Sequence, residues 1–226
     1  MFRTISLRSL YVLVALVSLC FTTSYAQQRF SAGPRIGLNL SNYWGNADDL
    51  RFKPGVNAGV FLSYSSLNHF GISADVLYSQ RGAKYDTPVL KFTQRVNYLE
   101  IPVVARYYLT LNGDFRPNIF IGPSLGIKLN ARRVNGEPNT NNINADNTGD
   151  FRDLDLGATG GFQLNWRTGS RQHFLIDARY TLGLSEVQTN LPNRWGARNN
   201  LQNSTISISL GYAFGVGPEF RSRYSR

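Results

Sequence analysis

Asn97 to Leu109 alternates in sequence: Leu99, Ile101, Val103, Ala105, Tyr107 and Leu109 fall on one side, Glu100, Arg106 and Tyr108 on the other. A period of two is that of a β-strand, and the run is long enough to cross a bilayer as one, which takes about 9–11 tilted residues. One face is apolar throughout while the other carries a Glu and an Arg. Lipid outside and polar groups within is the inside-out pattern of a membrane barrel. Seven more segments obey the same rule: 30–40, 56–64, 70–78, 119–129, 154–166, 174–184 and 206–214. One such run is weak evidence, but eight with a single polarity rule predict an all-β fold, a closed antiparallel eight-stranded transmembrane up-and-down β-barrel.

The connections carry the topology. Three are short: Ser65–His69, Thr110–Asp114 with its Asn112-Gly113 hairpin signal, and Arg167–Gln172 with Thr168-Gly169-Ser170. Four are long: Ser41–Pro54, Gly82–Arg95, Ala131–Arg152 and Glu186–Asn203. Short turns alternating with long loops are the outer-membrane arrangement, short turns periplasmic and long loops outside. An even strand count puts both ends of the barrel in the periplasm. Tyr64, Phe70, Tyr107, Phe115, Trp166, Phe174 and Phe214 gather on the outward face near the short-turn end, which reads as an aromatic girdle at headgroup depth. Pro102 resists the scheme, because it cannot donate a ladder bond inside its strand; a bulge or local irregularity is expected there.

Residues 1–26 read as a secretory signal: Arg3 and Arg8 at the start, an apolar core over Leu10–Phe21, and Ser24-Tyr25-Ala26 as the cleavage site. That core is too short for a spanning helix, which needs about 20 residues. Lipidation at Cys20 is disfavoured by the bulky Leu19 before it. With no other cysteine, the processed chain has neither disulfides nor thiolate chemistry. The barrel would then occupy 27–215, and 216–226 would be a basic, periplasmic tail of unassigned role. The formal charge is +10, of which Arg3 and Arg8 leave with the signal. Export makes nucleic acid an improbable partner and outer-leaflet lipid phosphate the natural anionic neighbour.

GLNLSN at 37–42, KPGVNAGVF at 53–61, DVLYSQRGAK at 75–84, NYLEIPVVARYY at 97–108, IGPSLG at 121–126, RYTLGLSEV at 179–187 and ISLGYAFG at 208–215 resemble the PorT-like outer-membrane β-barrel proteins of Bacteroidetes-type bacteria. The resemblance covers nearly the whole processed chain in order. It implies an eight-stranded barrel in the cell outer membrane and no defined activity. The founding member's tie to protein secretion does not transfer on these motifs.

The alternation turns eight charges inward: Arg35, Asp75, Glu100, Arg106, Lys128, Asp155, Asp177 and Arg179. They could form a proton or ion relay. The plainer expectation is that they pair inside a closed barrel, since an unpaired buried charge is costly and eight strands leave room only for side chains. A pore is therefore not expected. No catalytic residue is assigned: acyl-transfer chemistry needs a Ser with a base near the outer face, and the only histidines, His69 and His173, fall at the short-turn end. Asn144, Asp146, Thr148, Gly149 and Asp155 sit at an EF-hand-like spacing, but the first ligand is not Asp, the last is not Glu, and no helices flank them. A solvated Asn/Asp-rich loop is the expectation, with no metal and no cofactor. Arg132, Arg133, Arg194 and Arg198 in two long loops are candidate contacts to lipid phosphate.

The expected function is a small integral outer-membrane barrel with a structural, interaction or secretion-accessory role through its long loops. The partners expected are outer-membrane lipid, the barrel-assembly machinery, and a secretion or envelope protein. Two competitors predict other features. A soluble ligand-binding barrel needs polar outer faces, and a lipid-modifying enzyme needs a nucleophile and base at the outer rim.

Overall fold

The computed structural model describes residues 30–45, 50–66, 69–86, 91–111, 113–135, 145–186 and 201–216. The signal assigned to 1–26 and the tail beyond Val216 lie outside the described residues. The chain forms β1 (Phe30–Gly45), β2 (Leu50–Ser65), β3 (Phe70–Asp86), β4 (Lys91–Tyr108), β5 (Asn118–Asn135), a two-residue β6 (Ala145–Asp146), β7 (Leu154–Arg167), β8 (Gln172–Gly183) and β9 (Leu201–Val216). Each barrel strand pairs antiparallel with its sequence neighbours, β5 with β7 across the β6 segment, and β1 with β9 closes the ring. Closure removes both sheet edges, so no row of unpaired backbone groups faces lipid.

Alternation decides what each face meets. Ile36 (64% exposed), Leu38 (68%) and Ile121 (70%) stand on the outer wall, while Arg35, Asn39 and Ser124 between or beside them are buried. The wall is apolar and the lumen polar, the reverse of a soluble barrel. Rings mark the short-turn edge of this belt: Phe30 with Tyr64, Phe70 with Tyr107, Phe115 with Trp166 and Tyr212 with Phe214, each pair 5.0–5.3 Å between centroids.

Most barrel strands are longer than the alternation indicates. β1 to β5 and β9 run 16 to 18 residues, so the long connections begin later than expected. The reason is an inversion of polarity beyond the belt. There the outward positions of β3, β4 and β5 become polar (Gln80, Asn97, Arg95, Asn130, Arg132), while Trp44 and Phe52 on β1 and β2 stay exposed, and many of the inward positions become apolar. Tyr43, Ala83, Val96, Tyr98, Ala131, Phe151 and Leu201 form one buried cluster inside the upper barrel. This part of the sheet obeys the rule of a protein in water.

The irregularity at Pro102 is a lapse in pairing without a change of register: Ala74↔Val103 and Leu77↔Glu100 lie on either side of it in step. The register shift of β4 against β5 falls instead between Asn97 and Tyr98, where Leu129 is the extra residue. It sits at the level where the polarity of the two faces inverts.

Candidate functional site

The lumen is filled at two levels by charged side chains. At the lower level Arg35 reaches Asp75 (2.9 Å) and Asp177 (3.2 Å), and Arg179 reaches the same two carboxylates (2.9 and 2.8 Å). Asp75 on β3 and Arg179 on β8 stand on opposite walls of an eight-strand ring, so this contact crosses the lumen. Arg106 completes the layer by donating to Ser73 Oγ (2.7 Å) and Asn118 Oδ1 (2.9 Å). Asn118 in turn donates to Gln163, which donates to Asp177. The ring of Phe120 lies beneath the guanidinium groups of Arg106 and Arg179, at 4.7 and 5.5 Å from its centroid. Phe120 fits there because its cross-strand partner is Gly161, where a Cβ would come within 2.7 Å of the ring.

At the upper level Arg81 pairs with Glu100 (2.5 Å) and Asp155 (3.4 Å). Asp155 also accepts from Asn203 Nδ2 (2.7 Å) and Ser185 Oγ (3.0 Å). Asn203 on β9 reaches Tyr98 on the opposite strand β4 at 3.4 Å, a second span of the lumen. Between the levels Asn39, Asn57, Ser79, Ser207 and Ser209 bond to one another. Buried carboxylates and guanidiniums are tolerable because each meets an opposite charge or several hydrogen-bonding groups.

Arg81 is the member that sequence reasoning missed. It lies two residues beyond Ser79 on the row Ser73, Asp75, Leu77, Ser79, so extending the alternation by one step places it inward. Lys128, expected among the interior charges, stands apart from them. With its side chain 6% exposed, it pairs with Asp153 (2.9 Å) and donates to the carbonyls of Thr148 (2.6 Å) and Phe151 (2.5 Å). It therefore ties the β5–β7 connection to the rim.

Residues 145–153, the described part of that connection, are more ordered than a solvated loop. Thr148–Asp150 forms a single 3₁₀ turn, Gln94 and Asn147 exchange side-chain hydrogen bonds of 3.0 and 2.9 Å, and Phe151 enters the apolar cluster. The side-chain hydroxyl and backbone N–H of Thr148 hold the exposed Asp146 carboxyl below its ordinary range, with Arg132 adding to the effect. Asp155 belongs to the Arg81 network and not to this turn, so the EF-hand-like spacing does not assemble. Among the described residues no three His, Cys, Asp or Glu side chains converge. Asn144, Arg194 and Arg198 lie outside the described residues.

Arg132 and Arg133 take different directions. Arg132 is exposed on the outer wall, while Arg133 turns to the rim with its guanidinium 4.7 Å from the Phe92 ring centroid. The histidines stay at the short-turn end. His69 Nδ1 contacts the Tyr108 carbonyl and His173 Nδ1 contacts Asn165 Oδ1.

An apolar wall around a cross-braced polar lumen, closed by eight antiparallel strands, defines a protein of the bacterial outer membrane. Residues 25–188 match the outer membrane protein beta-barrel domain, and the chain belongs to that family. Among solved structures it is similar to the outer membrane protein OprG from Pseudomonas aeruginosa, at 10% identity over 86% of this chain and 99% of that one, with a TM-score of 0.54. It is also similar to Neisserial surface protein A, at 13% identity over 83% and 97%, with a TM-score of 0.50. At such identities the likeness is one of fold. No curated protein matches the sequence.

Proposed function

We propose that the barrel is an anchor and frame, not a general pore and not an enzyme, and that its work is structural, interactive or secretion-accessory at the long-connection end. The observation that carries this reading is the pair of lumen-crossing contacts, Arg179 to Asp75 and Asn203 to Tyr98, stacked beneath an apolar layer. A hydrated path would have to part ion pairs at one level and an apolar cluster at the next. Residues 145–153 ahead of β7, tied down by Lys128 and Phe151, offer a preorganised outer surface, and rigid frames carrying loops are where recognition concentrates. The resemblance to PorT-like proteins favours an envelope or secretion partner over a small solute. The experiment is conductance of the refolded protein in a planar bilayer. The reading predicts no channel of defined size. A reproducible unitary conductance that Asp75→Asn alters would overturn it.

A further inference from the structure

Just beyond the apolar belt, the outer wall at β3, β4 and β5 carries an open cleft of about 760 Å³. It is lined by Gln80, Arg95, Asn97, Asn130, Arg132 and Asp146, with Arg133 at its inner side. Arg95 and Arg132 are direct cross-strand partners, both exposed. Like charges placed opposite one another destabilise a sheet unless something neutralises them. Among the described residues no carboxylate lies within salt-bridge distance of either arginine, but Arg132 has the exposed Asp146 of β6 as its other cross-strand partner, which offsets part of its charge and leaves Arg95 the less compensated of the two. Asp146 is the acid in the cleft, and its Oδ1 already accepts from the N–H and the hydroxyl of Thr148. On its other flank Arg95 faces Gly82, so no side chain fills the space beside it. Asn97 donates to Asn130 Oδ1 (2.8 Å), which leaves the Asn130 amide N–H groups as further donors at the cleft. We propose that this cleft binds the phosphate of an outer-leaflet lipid, with the Arg95 and Arg132 guanidiniums as the principal donors.

Depth and direction select a lipid as the source of the anion. Along β4 the outward row runs Tyr107, Ala105, Val103, Ile101, Leu99, then Asn97 and Arg95. At about 3.4 Å per residue and a tilt near 40°, Tyr107 to Leu99 spans about 21 Å of membrane normal, close to the height of an outer-membrane apolar band. Arg95 then stands about 10 Å above Leu99, at headgroup level. Tyr78, whose hydroxyl accepts from Gln80, marks the upper edge of the belt beside it. Arg95, Asn130 and Arg132 of the cleft lining are exposed on the outer wall, the side from which a lipid headgroup arrives in the plane of the membrane. Guanidinium forks match phosphate oxygens in pairs, so two of them facing one anion convert a repulsive arrangement into a binding one.

The test titrates diphosphoryl lipid A, its fully dephosphorylated form and inorganic pyrophosphate into the refolded protein in a zwitterionic detergent, reading thermal unfolding. Diphosphoryl lipid A should stabilise the wild type saturably and the dephosphorylated form should not. R95Q/R132Q should bind roughly tenfold or more weakly, whereas the charge-matched control R152Q/R167Q should bind as wild type. In lipid-free detergent R95Q/R132Q should unfold no earlier than wild type, because the Arg95–Arg132 repulsion is gone and the exposed Arg132–Asp146 attraction lost with it is a small surface effect. Undiminished binding by R95Q/R132Q, equal stabilisation by the dephosphorylated lipid, or early unfolding of the lipid-free variant would each overturn the assignment. Saturation by pyrophosphate at the affinity of lipid A would make this a free-anion site and overturn the lipid source. The inference rests on the long-connection end facing outward. That premise is tested separately by labelling G149C with an impermeant thiol reagent in intact cells, in a Cys20→Ser background.

Discussion

Arg81 shows how one buried charge holds an interior together. Its guanidinium serves Glu100 and Asp155, and both acids lose their main counter-charge if it is removed. Breaking a buried pair from one side costs about 3–5 kcal/mol, because the remaining charge stays desolvated. Arg81→Met should therefore destabilise the folded barrel by about that amount in urea titrations followed by gel mobility. Glu100→Gln alone should cost less, since Arg81 keeps Asp155. The double variant should fall well short of the sum of the two, and strict additivity would deny the coupling. Arg81 also marks where sequence reasoning stopped one step early. Asp75, Glu100, Asp155 and Arg179 stand inside long alternating runs and are legible there. Arg81 is followed by Gly82, whose φ of +132° breaks the pattern of an ordinary strand. Lys128 went the other way: its position is inward, but what it binds is a loop that no periodicity describes.

The strands themselves were legible only as far as the solvent stays the same. From Tyr107 to Leu99 the rule is lipid outside, and the outward residues are apolar. From Asn97 to Lys91 the surroundings are headgroups and water, and Val96, Gln94 and Phe92 turn inward behind polar outward neighbours. A strand that crosses this boundary reads as two patterns in opposite phase, and the second resembles a polar loop. The register shift between Asn97 and Tyr98 blurs the join further. The membrane portion of β4 has a direct test in Val103, which faces lipid and pairs with Ala74 in the middle of the belt. Val103→Arg should cost about 2–4 kcal/mol and reduce the fraction assembled into the outer membrane. Assembly at the wild-type level would mean that the faces of this strand are assigned the wrong way round.

As a whole, the molecule divides into a membrane portion with a polar interior and an upper portion with an apolar one. The two are joined by the six strands that continue beyond the belt, β1 to β5 and β9, and closed by the pairing of β1 with β9. The same closure leaves no edge for the chain to unzip from, and lumen-crossing contacts resist collapse from within. The upper portion and the basic cleft on its wall could not be read from alternation alone, because both arise where distant strand ends meet: Tyr43, Val96 and Leu201 share one cluster across more than half the chain. The central claim is that this closed barrel spans the outer membrane. It is tested most directly by fractionating cells and comparing boiled with unboiled outer-membrane samples on a denaturing gel. The account predicts recovery in the outer-membrane fraction and a folded band that changes mobility only on boiling. A protein found in the soluble fraction, or one that migrates identically in both lanes, would contradict it.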